Sequence, residues 1–337
     1  MTSTPLSPSR LWAEPDGHHM HALRNPWYRV LAETQSRVTE LTVEFWQARG
    51  GRTLHLPITT GSISSPMGLG SDSLPVRVDL QGTPTYLADS MQFMLEYGCR
   101  MTGKDCYYVM PSFRGENTDS SHLSQFFHSE AEIRGGLDDV LVVVEQYLTA
   151  LAGGLLASSA DDIAAMGGDL AAIEQLASGR RFERLTYAEA AVIAGESGIR
   201  QHDSWSTLTR DGERTVMDKV GEFVWISHWD HLAVPFYQAF GDEHKKTALN
   251  ADLLFGVGEV VGAGERHVTV EQVREALTLH EVGEAPYSWY CDIRTLEELQ
   301  TSGFGLGIER FLMWLFQHDD IRDMQLLPRE NGKNIVP

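Results

Sequence analysis

The chain has 337 residues, of which 42% are hydrophobic and 22% charged. That composition supplies a globular core and excludes a fibrous or largely disordered chain. With 27 basic against 47 acidic residues, the net charge of −20 argues against broad nucleic-acid or anionic-membrane binding, which needs positive surface.

No run of the sequence reads as a membrane span or as a signal peptide. Cys99, Cys106 and Cys291 have neither disulfide nor zinc-ligand spacing. The expectation is a cytoplasmic protein without a membrane partner. Residues 1–25 read as a flexible leader. Residues 27–48 read as a helix, with Val30, Leu31, Val38, Leu41 and Phe45 on a broad apolar face. Leu54, Leu56 and Ile58 suggest a strand, and Pro57 inside it places that strand at an edge or interface. Residues 60–75 read as a loop, and 76–80 and 85–88 as a hairpin turning at Gln81–Pro84. A helix is expected over 91–101, then strands over 107–116 and 125–133. Residues 137–177 read as helical, broken near Gly167, and 178–225 are poorly patterned. A single strand over 251–261 and helices over 268–280 and 306–317 follow. Strand pairs without strand–helix alternation predict an α+β fold, an antiparallel sheet flanked by helices.

Three segments carry chemistry. In Gly303-Phe304-Gly305-Leu306-Gly307-Ile308-Glu309-Arg310, alternating glycines let a ligand lie against the backbone. Arg310 falls in the first turn of the next helix, where anions are favoured and a guanidinium can bind phosphate or stack on a base. The plain alternative is a helix entry with a surface arginine. In the second segment, strand alternation puts Arg114 and Glu116 on one face. It likewise puts Phe126, His128, Glu130 and Glu132 on one face of the return strand. Such a set is costly as a core and suits a charged ligand. A solvated sheet face is the alternative. In the third segment Glu259 sits on an apolar, glycine-flanked strand, where a hard cation such as Mg²⁺ would compensate it. Arg266 nearby could grip a carboxylate, or lie at a surface turn.

Together these segments resemble motifs 2 and 3 of class II aminoacyl-tRNA synthetases of the aspartyl/asparaginyl branch. Tyr290-Cys291-Asp292-Ile293-Arg294, residues 302–310 and Ile321-Arg322-Asp323 with Pro328-Arg329 resemble the asparaginyl end most. The helix 27–48 with Pro57 resembles motif 1, the dimer-forming element. The resemblance covers roughly residues 25–335. It implies the class II antiparallel sheet, a homodimer, ATP and Mg²⁺, and attack of a carboxylate on the α-phosphate to give an acyl-adenylate. By position it implies that Arg114 holds the α-phosphate and that Phe126 and Arg310 sandwich the adenine beside Gly305 and Gly307. His122 would lie near the outer phosphates, Glu116 on the adenine and Glu259 on Mg²⁺. Ser90, Gln92, Glu96, Glu130 and Arg266 would hold the amino acid. The domain expected is a catalytic unit over 26–337 with a helical insertion around 137–225.

Departures from the synthetases shape the functional expectation. Too few residues precede motif 1 for the family's N-terminal anticodon-binding domain, and the charge is strongly acidic. The chain thus also resembles the archaeal asparagine synthetase related to asparaginyl-tRNA synthetase. The loop 64–72 lacks the glutamate that synthetases place near the α-amino group, and Asp72 is a candidate replacement. Against this, Leu95 and Glu96 stand where aspartate-using members carry a lysine. The expectation is a ligase activating aspartate or a close analogue for transfer to ammonia or a small amine. The alternatives are an asparaginyl-tRNA synthetase-like enzyme that acylates RNA or another acceptor with asparagine, and a non-catalytic regulatory paralogue.

Overall fold

The computed structural model describes residues 4–64 and 73–336, so Asp72 lies outside the described residues. In chain order the elements begin with α1 (His18–Arg24), α2 (Pro26–Ala48), β1 (Arg52–Thr53), β2 (Thr59–Thr60), β3 (Val76–Leu80) and β4 (Thr83–Leu87). Then come α3 (Gln92–Thr102), β5 (Cys106–Phe113), β6 (Gln125–Arg134), α4 (Leu137–Met166), α5 (Leu170–Ala177), β7 (Glu183–Thr186) and α6 (Tyr187–Ala194). Next are β8 (Ile199–Gln201), β9 (Ser206–Leu208), α7 (Arg210–Val220), β10 (Phe223–Ser227), β11 (Asn250–Phe255) and β12 (Glu259–Glu265). α8 (Val270–Leu279), α9 (Ser288–Leu296), β13 (Thr301–Gly307) and α10 (Ile308–Leu315) complete the set.

The main sheet runs β1-β5-β6-β13-β12-β11-β10-β7. Its inner pairings are antiparallel, while the edge pairs β1–β5 and β10–β7 are parallel. The α+β expectation holds, with a sheet that is mixed at both edges. Alternation sorts its faces. Ala131, Ile133, Leu253, Phe255, Val261, Ala263, Phe304 and Leu306 join the main core with residues of α2, α4 and α10. α2 starts at Pro26 because Asn25 accepts the Trp27 N–H at 3.0 Å and proline needs no partner in the first turn. Its Leu31, Val38 and Trp46 are fully buried. At about 1.5–3 kcal/mol per large apolar side chain, that burial outweighs helix propensity in holding α2 in place.

Several sequence expectations are corrected. α4 is, among the described residues, the one helix long and apolar enough to cross a bilayer, contrary to the reading that no such run exists. It is a core helix: Val144, Leu148, Leu151 and Leu155 are buried, and the Tyr147 hydroxyl pairs with Thr42 at 2.6 Å and Ser129 at 2.9 Å. The expected insertion over 137–225 therefore divides. α4 belongs to the main core and β7 to the sheet edge. Tyr187, Ala190, Leu208 and Val216, from the segment between β7 and β10, build a small core on the opposite face, against Val224, Ile226 and Leu254. The leader is docked rather than loose. Leu11 is buried, Trp12 Nε1 donates to Asp323 at 2.9 Å, and the Arg322 guanidinium lies 3.4 Å from the Trp12 ring centroid. The strand expected through Pro57 is broken into β1 and β2, since proline has no N–H for a ladder. The single strand expected over 251–261 is the hairpin β11–β12. Its turn places Gly256 at φ 66° and Gly258 at φ 111°, a region open to glycine at little cost.

Candidate active site

The site lies on the sheet face opposite the main core, where β6 and β13 run side by side. Their register sets Glu132 across from Gly303, Glu130 across from Gly305 and His128 across from Gly307. The alternating glycines expected to line a ligand loop are thus the side-chain-free face of a strand whose other face carries Phe304 and Leu306. A Cβ on Gly305 would stand 2.8 Å from Glu130 Oε1. One on Gly303 would overlap the Glu132 carboxylate and the Arg266 guanidinium. Glycine here lets charged side chains lie flat on the neighbouring backbone.

One end of this face is a buried polar pocket. Arg266 donates through Nε to Glu132 at 3.1 Å and through Nη2 to Glu132 at 3.0 Å and Gln92 at 2.6 Å. Its Nη1 donates to Gln238 Oε1 at 2.9 Å. Burial pushes the Glu132 carboxyl up, and the Arg266 charge opposes that, so the pair carries opposite charges that cancel. Beside it Glu130 accepts from Ser90 Oγ at 2.9 Å and Gln92 Nε2 at 3.1 Å, with no cation in contact among the described residues save the imidazole of His128 at 3.4 Å. Burial raises Glu130 to about 8 despite those donors. Burial, with Arg114 and Arg310 nearby, lowers His128 to about 3, so His128 is neutral. Glu96 is drawn into a second buried layer, paired with Arg294 at 2.8 Å and Arg100 at 3.2 Å. Leu95 points elsewhere, into the core cluster of Met91, Cys99, Cys106 and Tyr108.

The other end is an open cleft of about 710 Å³ that brings together Arg114, Glu116, His122, Phe126, Gly305, Gly307, Glu259 and Arg310. The Arg114 guanidinium lies 5.4 Å from the Phe126 ring centroid, and its buried Nε has no partner. Arg310 Nη1 donates to the backbone carbonyl of Glu259 at 2.7 Å. Among the described residues neither arginine forms an ion pair. Glu116 Oε1 accepts the Leu74 N–H at 3.0 Å, while Oε2 is buried without a partner. Glu309 accepts the Phe127 N–H at 3.0 Å, fixing the start of β6 to α10, and burial raises it to about 7.

At the edge of the cleft two carboxylates converge. Asp252 on β11 faces Gly262 on β12 in the ladder. A Cβ on Gly262 would lie 3.3 Å from Glu259 Oε1 and 3.7 Å from Asp252 Oδ1. Burial, then Glu259 and Glu213, push Asp252 well above the usual carboxylate range. Crowded oxygen anions in a low-dielectric corner fit a hard divalent cation such as Mg²⁺.

The sequence-derived residues Ser90, Gln92, Glu130 and Arg266 thus gather at one end, and Arg114, Glu116, His122, Phe126, Gly305, Gly307, Glu259 and Arg310 at the other. Glu96 is structural by its partners. Sequence reasoning missed Asp252, Gln238 and the part of Glu132. Asp252 had a signal, a lone acid in an apolar strand. Gln238 had none, because its contact with Arg266 joins a loop to a strand end 28 residues away.

A family model described as tRNA synthetases class II (D, K and N) matches residues 15–331. The chain belongs to that family. The asparagine–tRNA ligase of Thermoplasma acidophilum is 26% identical over 318 residues, covering 93% of this chain and 72% of the relative. That of Koribacter versatilis is 27% identical over 329 residues, covering 95% and 73%. Among solved structures, the asparaginyl-tRNA synthetase of Pyrococcus horikoshii complexed with asparaginyl-adenylate superposes with a TM-score of 0.87 at 22% identity, over 99% of this chain and 76% of that one. The class II fold is thereby established. Family membership leaves nucleic acid open as a partner despite the net charge, since charge is a property of the whole chain and an acceptor contact is local.

Proposed function

We propose that this chain is an adenylate-forming ligase that activates asparagine with ATP and transfers the asparaginyl group to an acceptor. The observation that carries the choice of amino acid is the state of Arg266. Its charge is cancelled by Glu132, and four of its five N–H groups are engaged by Glu132, Gln92 and Gln238. One Nη1 N–H is left, which suits an amide carbonyl oxygen and does not suit a bidentate grip on a second carboxylate. Aspartate would bring an extra negative charge into a buried pocket whose charges already balance, at a cost of several kcal/mol. The aspartate-plus-ammonia expectation loses its support here, and the asparagine–tRNA ligase relatives favour the asparaginyl alternative.

The roles follow from the geometry. Glu130, with Ser90 and Gln92, takes the α-ammonium group, the cation that its unpaired carboxylate lacks. The α-carboxylate then points toward the cleft. The adenine lies against Phe126 and Arg310, with the free oxygen of Glu116 accepting its exocyclic amine. Arg114 spans the α-phosphate and the incoming carboxylate, lowering the repulsion between two anions. A carboxylate oxygen bonds to the α-phosphorus as the bond to pyrophosphate breaks, leaving asparaginyl-adenylate. An acceptor hydroxyl or amine attacks the acyl carbon and AMP departs. Mg²⁺ held by Asp252 and Glu259 would supply neutralisation of phosphate charge. Homodimerisation through α2 and a cytoplasmic location belong to the same reading. A monomer at micromolar concentration in sedimentation would count against the dimer.

ATP–pyrophosphate exchange with each amino acid tests this directly. Exchange with asparagine is expected, at about 100-fold or more above aspartate in kcat/KM, the scale of one uncompensated buried charge. Exchange with aspartate alone would restore the ammonia-ligase reading. Silence with both would favour a regulatory paralogue.

A further inference from the structure

The cleft does not stop at Arg310. It continues into a second opening walled by α7, which belongs to the small core outside the main sheet core. The two openings share Ser121, His122, Glu259 and Arg310. From α7, Arg210 reaches across and donates through Nη2 to Ser121 Oγ at 2.6 Å, with His122 Nδ1 at 3.4 Å. Arg210 is exposed and forms no ion pair among the described residues, and the acid its charge acts on is Glu213 of the same helix. Its neighbour one turn along, Glu213, lines the same opening with Glu259. With acids on that wall, a polyanion lying in the opening gains from the cations Arg310 and Arg210.

We propose that Arg210 is a binding residue for the β- and γ-phosphates of ATP, supplied to the site from α7, so that the small α6–α7 unit completes the nucleotide site. This rests on the adenylation reading, which puts adenine at Phe126 and so sends the outer phosphates past Arg310 and His122 into the α7 opening. Arg210 then leaves Ser121 for the phosphate oxygens, a trade of a neutral hydrogen bond for a stronger charge-assisted one. Once the carboxylate has attacked the α-phosphorus the same contact holds the released pyrophosphate, whereas AMP keeps no group within its reach.

Calorimetric titration of the full chain with ATP and with AMP tests this, using wild type, Arg210→Ala, Arg210→Gln and Arg210→Lys. Arg210→Ala and Arg210→Gln should each weaken ATP binding by about 10-fold, the scale of a charge-assisted contact. Both should leave AMP binding within about twofold of wild type, and Arg210→Lys should keep most of the ATP affinity. The glutamine variant separates the proposal from a simple latch, because its amide can still donate to Ser121. Wild-type ATP affinity in Arg210→Gln, or equal losses for ATP and AMP, would overturn the proposal while leaving the adenylation reading intact. Wild-type chain that binds neither nucleotide would overturn both.

Discussion

Two arginine environments on one sheet face differ in a way that describes what each end of the site receives. Arg114 and Arg310 stand in the open cleft with no ion pair among the described residues, one over Phe126 and the other on a backbone carbonyl. Arg266 is buried and spent, held by Glu132, Gln92 and Gln238. An unpaired cation in a cleft is a receptor for an incoming anion, and its solvation is exchanged for that anion's charge. A paired cation behind it is a positioned dipole, able to read a neutral group and to repel an extra charge. On the proposed reading the same residue type serves phosphate at one end and an amide at the other, and the partner carboxylate makes the difference.

The strongest way to break this comparison is at the open end. Arg114→Ala and Arg310→Ala should each lower asparagine-dependent pyrophosphate exchange by at least about 100-fold, the scale of one lost contact to developing charge. Rates near wild type in either variant would mean that the cleft is not where phosphate chemistry happens. At the closed end Glu132→Gln should set the Arg266 charge free. The ratio of kcat/KM for aspartate over asparagine should then rise by about 10-fold or more. An unchanged ratio would show that Glu132 does not set the preference.

The glycine ladder gives a smaller effect. Gly303→Ala should lower stability by about 1–3 kcal/mol in urea unfolding, because its Cβ has no space beside Glu132. It should raise the KM for asparagine more than that for ATP. Gly153→Ala on α4, where a Cβ meets nothing within 4 Å, should be neutral or slightly stabilising and serves as its control. The smallest effect is a slope. Burial holds Glu130 at about 8 in the folded chain, against its ordinary value of 4.5. The folded state then keeps a proton that the unfolded state releases, so this group's contribution is full below about 4.5 and is lost as pH rises through about 8. Urea midpoints at several pH values should fall less steeply across that window in Glu130→Gln than in wild type. Parallel curves would mean that Glu130 is ionised in the fold.

Much of the site was legible because strand alternation is a local rule. Phe126, His128, Glu130 and Glu132 share a face by period two, whereas the run 303–307, read as a Gly-rich helix entry, is the strand β13. What misled was local reading where a contact is remote. Glu96 looks like a free helix carboxylate until Arg294, 198 residues on, takes it. The leader looks loose until Trp12 meets Asp323 and Arg322. The run 251–261 looks like one strand because apolar pattern alone does not mark the positive φ at Gly256 and Gly258.

The sequence by itself determined the class of fold, the hairpins β3–β4 and β5–β6 and the set of charged residues on β6, since each depends on periodicity within a few residues. Tertiary structure alone decided which of those charges remain free. Arg266 and Arg310 are both arginines beside glycines in the sequence, and only the register of β6 against β13 lays Glu132 on the first. Charge compensation acts through space over a few ångströms and is blind to chain separation, so which charges stay free is written in the packing.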